Sequence, residues 1–466
     1  MRTAATMFFA WQLVVSAQTV DRTKPPETPA IPSYKLPPVS ESKLPNGLSI
    51  VLAEDSRFPL VTVRLAFHAG SKFDPPNLPG LSDSAATLLT QGTKTRTSRQ
   101  IAEELAAIGG SLTGHSTADS LILSGSSLAE NAPKLLALLG DVLLNANFPM
   151  DEVALQKQNR KQALLAQRSE SDYLAREKMS ELVFGSHPYS HIGPTAAALD
   201  ALDQKALVDF RDRYLTPNRA YLIVIGKLPP RAEITKMITE RLGSWTGKEA
   251  PAYSPGAPPE SKRQIVLVDR PGSAQADIRV GKLSATYKSP ELFPLIVGSA
   301  ILGGTADSRL FNDIREKRGY AYDAHTEFDR RQETGVMTAV TEVRNDVVEP
   351  AMQALLDDLG EMGKDPVKAE ELTDTKNYLN GVYLIRLEPQ SGLADQLATI
   401  KLMGLPNDYL ETYTTHVRSV EPDEIEKVAK KYMAPDNATI VVVGDASKIQ
   451  KALEKTGTVT LTKATQ

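Results

Sequence analysis

The chain has 466 residues, which is too long for a single hydrophobic core, so we expect more than one domain. Its 41% hydrophobic and 24% charged residues are typical of a soluble globular protein. A formal net charge of −4 argues against a nucleic-acid partner, and the absence of cysteine excludes disulfides and thiolate metal sites.

The beginning of the chain predicts targeting and a tether rather than a folded domain. An apolar run over residues 4–17 comes after Arg2 and ends in small residues, which is typical of a cleaved signal peptide over residues 1–17. The run is shorter than the ~20 residues that a membrane span needs, and a buried N-terminal helix is the alternative. Residues 18–44 are rich in proline and predict an extended tether. We therefore expect secretion across the inner membrane into a bacterial periplasm, without membrane attachment.

Apolar periodicity predicts alternating strands and helices after the tether. Residues 47–53 and 61–68 have the pattern of buried strands. Helices are predicted at residues 97–108, 128–144, 152–169 and 172–184.

The chain also repeats itself at long range. Residues 202–226 align without gaps with residues 420–444, which lie 218 positions later, as Tyr214 and Tyr432 show. Each copy reads as an amphipathic helix, a turn containing proline and a buried strand. A second block repeats at an offset of 210 and includes the pair Gly109 and Gly319. Two blocks in the same order, at nearly the same offset, indicate an internal duplication.

The duplication predicts two homologous halves, residues 45–245 and 262–466. A linker over residues 246–261 joins them, because prolines cluster there. In the second half, residues 264–269 and 276–283 again predict strands. We therefore predict an α+β fold in which each half is a mixed or antiparallel sheet with helices packed on one face.

An arginine and a tyrosine stand out in the second half. Residues 302–322 predict a helix that ends at Gly319, and then a strand with Tyr322 and Ala324 on one face. Arg315 lies in the last helical turn, so Arg315 and Tyr322 can point into the same space. A guanidinium and a phenol both donate hydrogen bonds, and together they can stabilise a developing oxyanion. The alternative is a surface arginine at a helix end and a tyrosine packed on the sheet.

These segments together resemble the pitrilysin family of metallopeptidases, which has an inverted zinc motif and includes insulinase and mitochondrial processing peptidase. In that family the helix corresponding to residues 80–93 reads Gly-Leu-x-His-x-x-Glu-His; the two histidines bind zinc and the glutamate activates water. Here those three positions hold Asp83, Ala86 and Thr87. The family's third ligand, a glutamate further along the chain, has no counterpart, because residues 153–169 include no acidic residue. A lone carboxylate cannot hold a catalytic zinc, so the zinc site is degenerate.

The resemblance covers nearly the whole chain after the tether. It implies two peptidase-like domains facing each other across a hollow, half of a clamshell-like peptidase. It also implies that Arg315 and Tyr322 contact the substrate beside the scissile bond, from the half opposite the zinc. The corresponding positions in the first half are Leu105 and Leu112, so the fold itself does not require an arginine and a tyrosine there.

Two histidines could suggest another metal site. His187 and His191 are four residues apart, but Pro188 lies between them and glycines flank them, so we predict a loop rather than one helical face. A zinc-binding pair is the alternative. We expect no metal and no other cofactor in this chain.

The resemblance suggests a function divided between two chains. We expect the non-zinc subunit of a heteromeric zinc metalloendopeptidase that degrades or processes unfolded peptides, inactive alone, with zinc in a homologous partner subunit. One alternative is a non-catalytic peptide-binding or scaffold homologue, against which the retained Arg/Tyr pair argues. Another is an active zinc peptidase with displaced ligands.

Overall fold

The structure, a computed structural model, describes residues 34–248 and 253–464. The predicted signal peptide over residues 1–17 lies outside the described residues, as do residues 18–33 of the predicted tether and residues 249–252 of the predicted linker.

The first half of the described chain contains a six-stranded sheet. Its strands are β1 (Val39–Lys43), β2 (Ser49–Glu54), β3 (Leu60–Phe67), β4 (Ser111–Ser116), β5 (Leu121–Leu128) and β6 (Ala220–Gly226). They are arranged in the order β1-β2-β6-β3-β5-β4. Only β2 and β6 pair in parallel, so the sheet is mixed.

The second half repeats this topology. Its strands are β7 (Gln264–Asp269), β8 (Gln275–Ser284), β9 (Ala321–Asp329), β10 (Gly335–Arg344), β11 (Thr439–Gly444) and β12 (Val459–Lys463). The order is β12-β7-β11-β8-β10-β9. Strands β7, β11, β8, β10 and β9 therefore take the places of β2, β6, β3, β5 and β4. The predicted α+β fold with two homologous halves is confirmed.

Helices surround both sheets. In the first half they are α1 (Leu81–Leu88), α2 (Ser98–Ala107), α3 (Ala132–Leu144), α4 (Met150–Arg168), α5 (Ser171–Phe184), α6 (Ala196–Ala201), α7 (Gln204–Tyr214) and α8 (Arg231–Leu242). In the second half they are α9 (Leu292–Gly303), α10 (Val348–Glu361), α11 (Ala369–Leu387), α12 (Gln390–Met403), α13 (Tyr409–Ser419), α14 (Pro422–Tyr432) and α15 (Ala446–Leu453). A π-helix covers Phe311–Lys317. None of the helices within the described ranges is long and apolar enough to cross a membrane.

The predicted helix over residues 97–108 shows how local sequence sets an element boundary. Helix α2 starts after Thr97, whose hydroxyl accepts the backbone N–H of Gln100, while the Gln100 side chain accepts the Thr97 N–H at 2.9 Å. This reciprocal capping satisfies two N–H groups that would otherwise lack partners.

Each sheet buries both of its faces, and alternate residues show this directly. On β2, Ile50 and Leu52 join the core formed with the first half's own helices. Their neighbours Val51 and Ala53 point the other way and join the core that contains α12 of the second half. The helices of the same half therefore cover one face of the sheet, as predicted, and a helix from the opposite half covers the other face.

The packing between the halves is reciprocal, because α5 of the first half packs on the sheet of the second half. Leu174 and Met179 of α5 form a small core with Val441 and Val443 of β11. The helix lies so close to β8 that a Cβ on Gly281 would come within 2.8 Å of the Met179 sulfur. Glycine at this position therefore permits the contact.

In each sheet, an arginine on a central strand forms an ion pair with the helix that comes from the opposite half. Arg64 of β3 donates to Asp395 of α12, with 2.6 Å between Nε and Oδ1. Arg279 of β8 donates to Asp172 of α5, with 2.5 Å between Nη2 and Oδ1. Because β3 and β8 are equivalent strands, the duplication has kept the same polar contact between halves on both sides.

Candidate functional site

Helix α1 carries the three positions of the degenerate zinc motif, and a partly buried aspartate binds its N-terminus. The carboxylate of Asp74 accepts the backbone N–H groups of Gly80 and Ser82, each at 2.8 Å. Burial raises the pKa of Asp74 to about 7, against the effect of these hydrogen bonds. Gly80 has a φ of 89°, a left-handed conformation that glycine adopts without strain.

The three predicted positions lie together on α1. Asp83 forms an ion pair with Arg160, which extends from α4. The Thr87 hydroxyl donates to the backbone oxygen of Asp83 at 3.0 Å. Ala86 is buried beneath β4, where a Cβ on Gly114 would lie 2.1 Å from the Ala86 oxygen. The close approach of strand and helix therefore depends on a glycine.

These residues do not fit a zinc ion. Arg160 neutralises the only carboxylate among the three positions, and neither Ala86 nor the engaged Thr87 hydroxyl is a usual zinc ligand. Within the described residues, no group of three or more His, Cys, Asp or Glu side chains is arranged to hold a metal ion. A fixed guanidinium charge occupies the place beside Asp83. Sequence reasoning missed Arg160, because nothing in a single sequence connects a helical arginine with an aspartate 77 positions earlier.

The structure brings Arg315 and Tyr322 together. The Arg315 guanidinium carbon lies 4.8 Å from the centroid of the Tyr322 ring and 4.5 Å from that of Phe311, so the cation lies against two aromatic faces. Tyr322 is 83% exposed, the highest value among the exposed large hydrophobic side chains of the described chain. The prediction that the two side chains share one space is confirmed, and their role in catalysis stays a prediction.

The local backbone explains why Tyr322 is so exposed. The prediction that Tyr322 and Ala324 share one face of the strand is wrong, because Ala324 is buried while Tyr322 points to solvent. Opposite β10, Ala324 pairs with Thr341 but Ala321 pairs with Val343, so β9 contains an extra residue between them. Such a bulge interrupts the alternation of faces and re-aims a side chain.

Arg315 itself lies on an unusual helix. In the π-helix Phe311–Lys317, the N–H of Arg318 donates to the carbonyl oxygen of Asp313 at 3.1 Å, five residues back. Gly319, with a φ of 62°, then ends the helix as predicted. Single π-helical turns are rare and often lie at functional sites.

The two predicted sets of site residues lie apart. A cavity of about 550 Å³ lies between the two halves, and its lining includes Asp83 and Arg160 from one side and Arg279 from the other. Neither Arg315 nor Tyr322 lines this cavity. The Arg/Tyr pair therefore faces out of the chain rather than toward its own degenerate metal position.

Charged side chains between the two halves surround His187, one of the two histidines considered as a metal site. Lys72 lies 3.0 Å from Asp119 and 2.9 Å from Glu333 of the second half. His187 Nε2 lies 3.2 Å from a Glu333 oxygen, and its Nδ1 accepts a backbone N–H two residues on. Both ring nitrogens of His187 thus have protein partners, whereas His191 is exposed. A short 3₁₀ turn over Pro188–Ser190 joins the two histidines, as the predicted loop requires.

Two family models match the chain. One, described as insulinase, peptidase family M16, matches residues 49–192, which include the degenerate metal position. The other, described as peptidase M16 inactive domain, matches residues 201–379, which include Arg315 and Tyr322.

Full-length relatives and solved structures agree with these matches. Proteins named uncharacterized zinc protease from Rickettsia bellii and, as YmxG, from Bacillus subtilis are 26% and 22% identical; each alignment covers 85% of this chain, and 92% and 96% of the relatives. A peptidase M16 inactive domain from Pseudomonas fluorescens aligns with a TM-score of 0.81 at 23% identity over 87% of this chain and 98% of that structure. A protease from Helicobacter pylori gives a TM-score of 0.79 at 19% identity, over 88% of this chain and all of that structure.

Fold and site together define a peptidase-type chain of two homologous halves with a degenerate metal position. The chain belongs to the M16, or insulinase, peptidase family, as a member that lacks the zinc motif and keeps the Arg/Tyr pair.

Proposed function

We propose that this chain is the non-zinc subunit of a heteromeric zinc metalloendopeptidase that degrades or processes unfolded peptides. The observation that carries the proposal is the placement of Arg315 and Tyr322. They contact each other, Tyr322 is exposed, and neither lines the chain's own cavity. Side chains placed in this way are available to a substrate held on a second chain.

The zinc would belong to a homologous partner subunit that keeps the family's histidines and glutamate. In the assembled peptidase, Arg315 and Tyr322 would donate to the peptide carbonyl as negative charge develops on its oxygen. The phenol hydroxyl has no hydrogen-bond partner among the described residues, so it is free to donate without breaking an existing contact. This chain would supply only that half of the chemistry, because Asp83, Ala86 and Thr87 stand at the positions of the family's zinc ligands and water-activating glutamate.

The test is reconstitution with a purified zinc-bearing homologue from the same source. Each chain is assayed alone and mixed, with an unfolded fluorogenic peptide, after metal removal and zinc reloading. We expect cleavage only in the mixture. Cleavage of the peptide by this chain alone would refute the proposal.

A non-catalytic role in binding peptides is the second candidate, and the edges of the sheets favour it. Strands β4 and β9 each pair on one side only among the described residues, which leaves an edge where an extended peptide can add as a further strand. In that case peptides bind, the Arg315→Ala variant binds them equally well, and no zinc-bearing partner makes the mixture hydrolytic.

A further inference from the structure

A smaller cavity, of about 210 Å³, lies wholly within the second half, among α9, β9, α11 and α13. Its apolar walls include Phe328, Leu379 and Val382. Among the described residues, its lining contains no aspartate and no glutamate, and its only charged side chains are those of Arg330 and Arg386. The cavity therefore combines apolar walls with two positive charges.

Aromatic rings, rather than a carboxylate, hold Arg330 in place. Its guanidinium carbon lies 5.4 Å from the centroid of the Tyr287 ring and 5.6 Å from that of Phe328. Neither Arg330 nor Arg386 has a hydrogen-bond or ion-pair partner in the part of the chain that the structure describes. A guanidinium is a planar fork of N–H donors, and contacts with aromatic faces leave those donors available to a ligand.

A buried phenol borders the same cavity. Tyr413 is 9% exposed, its ring stacks on that of Tyr383 with 3.9 Å between the centroids, and its hydroxyl has no hydrogen-bond partner among the described residues. The hydroxyl oxygen is not closed off from solvent. Burial raises the pKa of Tyr413, while the charges of Arg330 and Arg386 act to lower it. Both guanidiniums therefore act on this phenol, and no carboxylate does.

We infer that this cavity binds a small free carboxylic acid with an apolar body. A carboxylate only accepts hydrogen bonds and can take two parallel N–H donors from one guanidinium, and Tyr413 offers an O–H donor beside them. Its negative charge also offsets the repulsion between two unpaired arginines. The apolar walls suit the body of the acid. A cavity of roughly 150 Å³ can hold benzene, so 210 Å³ leaves room for an aromatic acid.

Inorganic phosphate fits less well, because it would engage the arginines and leave the apolar walls without a partner. The site is separate from the proposed peptidase function. Neither Arg315 nor Tyr322 lines this cavity, and its described walls all come from the second half of this chain. Binding there needs no zinc-bearing subunit, so it can be measured on the chain alone.

Isothermal titration calorimetry of the full chain with benzoate and with benzamide measures this binding. The two molecules have nearly the same shape, but only benzoate carries a negative charge. We expect benzoate to bind about tenfold tighter, because charge-assisted hydrogen bonds are roughly twice as strong as neutral ones. The difference should shrink at high salt. Benzoate should also raise the unfolding temperature, since it binds only the folded chain.

Arg330→Gln and Arg386→Gln should each weaken benzoate binding about tenfold and leave benzamide binding nearly unchanged. Tyr413→Phe keeps the stacked ring and removes only the hydroxyl, so it should weaken benzoate binding about threefold. Arg386 is exposed, so its substitution keeps the test valid if Arg330→Gln unfolds the chain. Arg99→Gln, which removes an exposed arginine in the first half, is the matched control and should leave both affinities unchanged.

Equal affinity for benzoate and benzamide would overturn the inference, as would a preference for benzoate that survives both arginine substitutions. Inorganic phosphate is the third probe. If phosphate binds more tightly than benzoate and the arginine substitutions abolish its binding, the apolar walls play no part and the ligand class is wrong. A short peptide ending in phenylalanine is the fourth. If it displaces benzoate at a lower concentration than free acids do, and its C-terminal amide does not, the cavity takes a chain terminus and not a free acid.

Discussion

Arg160 of α4 and Asp83 of α1 form an ion pair at the position where a zinc peptidase of this family holds its metal. Both side chains are about one-third exposed, so solvent screens the pair only in part. A positive charge lies beside α1, but it belongs to an arginine side chain that cannot activate water.

We expect this pair to contribute about 1 kcal/mol to the free energy of unfolding. A double-mutant cycle with Asp83→Ala and Arg160→Met, analysed by urea denaturation, measures the coupling. The exposed pair Asp423 and Lys427 on α14 is the control and should couple more weakly. A coupling at Asp83 no larger than that of the control would contradict the expectation.

The chain should not bind zinc stoichiometrically. Asp83 is neutralised, and Ala86 and Thr87 supply no suitable ligand. After zinc loading and dialysis, metal analysis should find well under one zinc per chain, with a zinc-bearing homologue treated in parallel. One tightly held zinc would show that other residues form a site.

In the reconstituted peptidase, Arg315→Ala and Tyr322→Phe should each lower kcat/KM about tenfold or more, because a lost donor to a developing oxyanion can cost up to ~10²–10³. Their unfolding temperatures should hardly change, since Tyr322 is exposed. The equivalent first-half residues give the contrast. Leu105 and Leu112 are buried, so Leu→Ala there should cost about 2–5 kcal/mol of stability. Full activity of both second-half variants would favour the scaffold function.

Asp358 of α10 should make stability depend on pH. Burial raises its pKa to about 7, and one of its carboxylate oxygens has no hydrogen-bond partner among the described residues. An acid whose pKa is raised on folding destabilises the protein once the unfolded chain ionises, so stability should fall as pH rises from about 4 to about 7. Asp358→Asn should remove this loss and raise the free energy of unfolding at pH 8 by roughly 1–3 kcal/mol relative to its effect at pH 4.

Asp74 is the matched control, because burial also raises its pKa to about 7. Its two oxygens accept backbone N–H groups, however, and an asparagine leaves one of those donors unpaired. Asp74→Asn should therefore destabilise the protein by about 1–3 kcal/mol at pH 8. Chemical denaturation at pH 4 and pH 8 measures the free energy of unfolding of both variants. If both substitutions change that free energy in the same direction at pH 8, the explanation is wrong.

The protein should be exported, with a mature chain that begins near Gln18. This expectation rests on the apolar run over residues 4–17 and the small residues that end it. N-terminal sequencing of protein from a periplasmic extract tests it. Recovery of residues 1–17 on protein confined to the cytosol would exclude export.

The duplication was visible in the sequence because buried strands such as β6 and β11 are continuous apolar runs that align without gaps. Strand β7 begins and ends where the sequence predicts. The bulge beside Tyr322 was not predictable, because an extra residue in a strand is defined only by the register of its neighbour, β10. The Asp83–Arg160 pair likewise depends on which helices pack together, and single-sequence periodicity does not report that.

The reciprocal packing of α5 and α12 bears on how such a chain came to exist. A protein with only one of these halves would expose one apolar face of its sheet, because the helix that covers that face comes from the other half. The apolar side of its own α5 or α12 would be exposed as well. Two identical copies could cover both by trading helices across a two-fold axis, the isologous arrangement of a swapped homodimer. Fusion of the two copies would then fix their stoichiometry and allow each to differ: here one half carries the degenerate metal position and the other carries the outward-facing Arg315 and Tyr322. Expressed separately, neither half should remain a soluble monomer.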